Sequence, residues 1–267
     1  MARVCLALSP HLDDAAFSCG GLLNRLVGEG WRVVMATVFT ASVRGPRGFA
    51  LRCQTDKGIP AGVDYMALRR REDAACGRAL GVEVRWLGLP EAPHRGYDCP
   101  EALFAGSRPD DEIWRGVVEA IDPLLAELQP ALLLAPQGLG HHVDHLQLVH
   151  GLVNSAPAST VPTAWYRDTP YALRNPAAEP APTLPRGLVE GGVALGEAQL
   201  AAKLAGCGCY ASQLGFQFGG VDAMAEQLRA FARREGQRCG AVGSGAEVLV
   251  YAEGSEVLSA AFGSPWV

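Results

Sequence analysis

Apolar runs at residues 4–8, 31–40, 82–89 and 131–135 constrain this chain more than any other feature. Runs that are apolar at successive positions cannot leave one face in water, so they belong to parallel strands covered by helices on both sides. Helical patterns separate them: residues 21–29, 65–80, 110–128 and 141–153. This strand–helix alternation over the first 165 residues predicts a parallel sheet with right-handed crossovers. A further strand is predicted at 161–167, helices at 196–213 and 221–235, and a last short strand at 248–251. Segments 41–64, 90–109 and 168–194 are rich in Pro and Gly and read as long loops. No repeat or linker divides the chain, so residues 1–267 are expected to form a single α/β domain with a less regular C-terminal elaboration.

Composition narrows the function. With 49% hydrophobic and 19% charged residues in 267, the chain can bury a sizeable core. Its net charge of −5 and scattered Lys and Arg give no electrostatic footprint for nucleic acid. The basic run Arg69-Arg70-Arg71 reads as a solvated helix face. No stretch of 18 apolar residues predicts a membrane span, and the start has no signal-peptide pattern. Several of the eight cysteines fall inside apolar patterns, which favours reduced, buried thiols and a cytoplasmic setting. The single spacer in Cys207-Gly208-Cys209 is too short for a metal knuckle, so packing is its expected role.

Chemistry concentrates at two strand ends. After the first strand come Ser9-Pro10-His11-Leu12-Asp13-Asp14, and after the fourth come Gly140-His141-His142-Val143-Asp144-His145. In a doubly wound sheet these two loops can open on the same edge, where such folds place their sites. Imidazoles and carboxylates suit a divalent ion that keeps a position open for catalysis. His11, Asp14 and His145 would supply that set. Asp13 and Asp14 are neighbours whose side chains diverge, so they are expected to divide the work. His142 and His145 share a helical face at a spacing of three, and His141 and His145 at a spacing of four, which leaves two registers open. Either acid could also simply cap the helix that follows. His150 is expected on the helix surface or in the core. The first turn lacks GxGxxG and puts carboxylates where a dinucleotide phosphate would sit, which argues against a dinucleotide site.

At these residues the chain resembles the PIG-L/LmbE-like family of zinc-dependent N-acetylglucosaminyl deacetylases. The family's His-Pro-Asp-Asp and His-Pro-Asp-His motifs correspond to His11-Leu12-Asp13-Asp14 and His142-Val143-Asp144-His145, with Leu12 and Val143 in place of the prolines. Weaker echoes are Arg71-Glu72-Asp73, the 87–91 loop, residues 166–171, and Lys203 with residues 210–213. The resemblance implies a Rossmann-like layer and one zinc ion, another divalent metal being an alternative. It implies that His11, Asp14 and His145 hold the metal and that Asp13 is the general base. It also implies that His142 stabilises the oxyanion, or protonates the leaving amine, and that Asp144 orients His142. The implied reaction releases acetate from a GlcNAc-type sugar, on a small-molecule glycoside of bacterial secondary metabolism. An amidase acting on a thiol S-conjugate, or a silent metal- or carbohydrate-binding protein, are the alternatives. Arg44, Arg47, Glu91, His94, Arg95 and Tyr97 are candidates to contact substrate, and Trp165 and Tyr166 to stack on a sugar or fill the core.

Overall fold

The computed structural model describes residues 2–254 apart from 242 and 244. Its centre is a seven-stranded sheet in the order β3-β2-β1-β4-β5-β7-β6. The strands are β1 (Val4–Ser9), β2 (Arg32–Thr37), β3 (Glu83–Trp86), β4 (Leu132–Pro136), β5 (Thr163–Tyr166), β6 (Leu188–Leu195) and β7 (Gly245–Ala252). The first five are parallel, while β7 pairs antiparallel with both β5 and β6.

Burial on both faces follows from the period-two alternation of strand side chains. Cys5, Ala7, Val33, Met35, Leu132 and Leu134 pack into one layer with Leu22, Leu23 and Leu26 of α1 (Asp14–Gly28). Leu200 and Leu204 of α7 (Glu197–Cys207) and Leu228 of α9 (Val221–Arg238) complete that layer. Leu6, Leu8, Val34, Leu133 and Ala135 face the other layer. There they meet Val117 and Ile121 of α4 (Ile113–Leu128), and Leu148 and Val149 of α5 (Val143–Asn154). Strand order reverses at β1, with β2 on one side and β4 on the other, so the two chemistry-bearing loops emerge side by side.

Several expectations are corrected. The helix after the first motif starts at Asp14, not near Gly21, so Asp14 lies in its first turn. The segment 41–64 contains α2 (Gly48–Thr55) before α3 (Tyr65–Leu80). The segment 168–194 contains a short helix α6 (Tyr171–Arg174) and most of β6, which becomes a strand by pairing with β7 over its whole length. The helix expected over 196–213 is two: α7, then α8 (Ala211–Phe218). The chain turns between them where the Tyr210 hydroxyl donates to Asp73 Oδ1 at 2.7 Å. The last strand is twice the expected length, running from Gly245 to Ala252.

All eight cysteines are free, and Cys5, Cys19, Cys76 and Cys207 are buried. Among the described residues no helix is long and apolar enough to cross a membrane. Trp165 and Tyr166 are buried on β5, and the Tyr166 hydroxyl donates to the Leu8 carbonyl at 2.9 Å, so both belong to the core.

Candidate active site

Leu8 and Ser9 end β1 in the core, and the chain then turns sharply. Ser9 Oγ donates to the His11 carbonyl at 2.6 Å and accepts the Ala15 amide at 3.0 Å, which closes the turn and starts α1. Asp13 takes the strain, with φ of 154° and ψ of −34°. A β-carbon makes that region costly, and residues held in such conformations cluster at functional sites. The turn sends the Asp13 and Asp14 side chains in different directions. Asp14 Oδ2 lies 3.1 Å from His11 Nδ1 and 3.1 Å from His145 Nε2. Asp13 instead lies 3.6 Å from the Arg69 guanidinium, and both acids line one cavity.

The second loop is shaped by Gly140. Its φ is 80°, and a β-carbon there would fall 2.6 Å from the Tyr171 ring. His141 follows at φ 59° and turns away, its Nε2 3.2 Å from the Pro180 carbonyl. His142 is the N-cap of α5: its Nδ1 accepts the Asp144 amide N–H at 3.2 Å. Of the two registers, this loop therefore places His142 and His145 in the site and His141 outside it. Donor atoms of His11, His142 and His145 lie within 4.8 Å of one another. His150 stacks on Trp114 at 4.8 Å, away from this cluster.

Both inner imidazoles are oriented by carboxylates. His11 Nε2 meets Asp144 Oδ2 at 2.9 Å, and His145 Nδ1 meets Asp168 Oδ1 at 2.5 Å. With those nitrogens donating, the lone pairs of His11 Nδ1 and His145 Nε2 point at one carboxylate oxygen. His145 Nε2 is buried without a hydrogen-bond partner. Two lone pairs facing a carboxylate repel unless positive charge lies among them. Ligand atoms on one tetrahedral zinc stand roughly 3.3 Å apart, given bonds of about 2.0 Å, close to the 3.1 Å seen here. The donor set and its carboxylate-backed histidines therefore fit a divalent ion.

The electrostatics agree. Burial alone would lower His145, but the Asp14 carboxylate and the Asp168 hydrogen bond raise it to about 9. His11 is likewise raised by Asp14 and Asp144 against its burial. Asp14 is held well below the usual carboxylate range by the two imidazoles, although burial opposes this. These three donors thus collect positive charge. His142 is driven the other way, to about 3, by burial and by the neighbouring His11. It is therefore neutral, and with Nδ1 accepting it carries its proton on Nε2. Asp13 is pushed up to about 7 by burial, against the pull of Arg69.

Several roles differ from those expected. The Asp144 carboxylate orients His11, and only the Asp144 backbone amide reaches His142: Oδ2 accepts from His11 and from the Ala92 amide at 3.0 Å, and Oδ1 accepts from Arg95 at 2.7 Å. Arg95 is not free for substrate, because it is clamped between Asp144 and Asp111. Tyr97 is buried, with its hydroxyl donating to Asp111 at 2.9 Å. Arg44 and His94 line a separate cavity of about 230 Å³, and Arg47 is an exposed residue at the start of α2. Of the six substrate candidates, only Glu91 lines the cavity that holds His11, Asp13 and Asp14.

Two residues were missed. Arg69 is not solvated: it is buried, donates to Glu91 at 2.7 Å and to the Leu12 carbonyl at 3.2 Å, and so braces the strained turn. The triple-arginine run hid it, since only the helix register distinguishes Arg69 from its neighbours. Asp168 had a signal, the 166–171 echo, but its partner lies 23 residues away.

Comparisons with known proteins agree with this geometry. The family model PIG-L, described as GlcNAc-PI de-N-acetylase, matches residues 6–156. The chain is 39% identical over 190 residues to 2'-N-acetylparomamine deacetylase of Streptomyces fradiae, covering 69% of this chain and 64% of that protein's length. It thus spans just under two thirds of that relative. A solved A40926 pseudoaglycone deacetylase superposes with a TM-score of 0.78 at 27% identity, over 94% of this chain and 96% of its own. The zinc inhibited form of teicoplanin deacetylase has the same fold, with a TM-score of 0.80 at 24% identity over 95% of this chain and all of the other. The match over more than half of the sequence, anchored on the two motifs that meet around Asp14, establishes that this chain belongs to the PIG-L family.

Proposed function

We propose that this protein is a zinc-dependent N-deacetylase that releases acetate from a GlcNAc-type amino sugar on a glycosylated natural product. The observation that carries the reading is the split between adjacent carboxylates. Both acids line the cavity, but Asp14 reaches both inner histidines at 3.1 Å, while Asp13, held at φ 154°, pairs instead with Arg69 at 3.6 Å. A site that only bound a metal or a sugar would have no use for a strained, buried second acid. The three relatives described above carry deacetylase names, which supports the same reaction class.

His11, Asp14 and His145 would hold the ion, and two nitrogens with one carboxylate suit zinc. When bound, the ion supplies Lewis acidity toward water and the acetamide carbonyl. Asp13 faces the same space and takes the proton of the attacking water. His142 presents its Nε2 proton to the oxygen that gains charge as the carbonyl becomes tetrahedral. The proton collected by Asp13 is then available to the departing amine, so water and amide become acetate and amine. Arg69 keeps the Asp13 turn in place, and Asp144 and Asp168 keep the imidazoles aimed.

Two broader elements of the proposal rest on the fold. Residues 1–267 act as one domain, since β6 and β7 complete the same sheet that carries the site. The protein works in the cytoplasm, a setting supported by its free thiols, half of them buried. The test of function is acetate release from a methyl N-acetylglucosaminide. Chelation should remove at least about 99% of the rate, and about one equivalent of zinc should restore it. Full activity in metal-free protein would refute the reading.

A further inference from the structure

The cavity above the histidines has a volume of about 350 Å³ and opens between three elements that each contribute a phenylalanine. Phe49 comes from α2, Phe104 from the loop after β3, and Phe216 from α8. Phe104 is 45% exposed and Phe216 is 67% exposed. Neither ring is needed to fill the core, and large apolar side chains grouped at an opening mark a place where a ligand removes them from water. Phe104 ties the rim to the chemistry, since its ring meets the His142 ring at 5.4 Å in edge-to-face contact. On the other side, Lys57 Nζ lies 5.0 Å from the Phe216 ring centroid.

Charge at the rim narrows the ligand. The ionisable rim residues are Asp56, Lys57 and Arg174. The deeper carboxylates are already engaged: Glu91 and Asp13 with Arg69, and Asp14 and Asp144 with the imidazoles. Asp56 is the one carboxylate at the rim, against the two cations Lys57 and Arg174; an amine-rich ligand would need several carboxylates at the mouth, whereas a flat apolar group needs ring faces.

Resting on the deacetylase reading, we propose that the site has an aglycone subsite: the acetamido sugar enters attached to a neutral or anionic aromatic group, which packs against Phe104 and Phe216. Three N-acetylglucosaminides test it: methyl, 4-nitrophenyl and 2-aminoethyl. The aryl glycoside should have a kcat/KM at least about 10-fold above the methyl one, the worth of one good aromatic contact, and the ammonium glycoside should gain nothing. In Phe216→Ser, at an exposed position where folding is not at stake, the aryl-to-methyl ratio should fall toward one. Titration of 4-nitrophenyl glucoside, which has no acetamide, should show the same dependence on Phe216 in binding alone. Equal kcat/KM for all three glycosides, or an aryl-to-methyl ratio unchanged in Phe216→Ser, would overturn the subsite while leaving the deacetylase reading intact. Failure to release acetate from any glycoside, with Phe216-dependent binding of the nitrophenyl glucoside, would refute the deacetylase reading and support the subsite.

Discussion

Asp13 and Asp14 are chemically identical neighbours separated by one strained peptide. A conformation like that of Asp13 costs about 1–3 kcal/mol, and the Ser9, Leu12 and Arg69 hydrogen bonds around it keep it there. Glycine would relieve the strain and also remove an acid buried beside Asp14. Asp13→Gly should therefore melt higher by roughly 2–4 °C per kcal/mol recovered, while acetate release is lost. A melting temperature below wild type would show that the strain is worth less than the Asp13–Arg69 pair and glycine's extra unfolded-state freedom together. At this scale the sequence was informative where residues lie close in the motif. The His11-to-Asp14 and His142-to-His145 spacings made the clustering of these side chains legible, because a few residues of turn and helix bring them together by local geometry. The roles of Arg69 and Asp168 were not legible, although Asp168 lay in a motif echo, since their partners lie 57 and 23 positions away and only the packed sheet edge brings them together.

The break in α1 shows how elements support the site. At Cys19 the backbone leaves helical geometry, with φ of −132° and ψ of 21°. The Glu247 carboxylate accepts the freed amides of Gly21 at 3.0 Å and Leu22 at 2.7 Å, capping the second half of the helix. Lys203 neutralises Glu247 at 2.6 Å and donates to the Ser18 carbonyl at 3.3 Å. Ser18 Oγ in turn accepts the Thr169 amide at 3.0 Å, beside the Asp168 that holds His145. The packing is close at Gly21, where a β-carbon would fall 2.7 Å from Leu195 Cδ1 and the Leu195 side chain would have to shift. Lys203 and Glu247 are almost wholly buried, so Lys203→Met should cost about 3–5 kcal/mol by stranding a buried charge. Adding Glu247→Gln should recover part of that in a denaturant titration. Equal stability of Lys203→Met and wild type would contradict the pairing. The elements themselves were legible where they are local. The first five strands and their helices show the right periods, whereas β6 did not. Its Glu190-Gly191-Gly192 centre looks like a loop and becomes a strand only against β7, whose Tyr251 ring needs the bare Cα of Gly191.

Across the whole molecule, the parallel strands present the clustered histidines and acids together with Asp144 and Asp168, and antiparallel β7 adds Glu247, which caps the second half of α1. The two motifs lie within residues 6–156 matched by the family model, while Asp168, Lys203 and Glu247 lie beyond it. The strand order puts β1 and β4 side by side, and this adjacency makes one site from motifs about 130 residues apart. The central claim is that adjacent carboxylates divide metal binding from proton transfer. The most direct test is to measure bound zinc and acetate release together in Asp13→Asn and Asp14→Asn. Asp13→Asn should keep about one zinc and lose at least about 100-fold in turnover, the usual worth of a general base; Asp14→Asn should lose the metal and turnover together. Wild-type turnover in Asp13→Asn, or full zinc occupancy in Asp14→Asn, would contradict the division of roles.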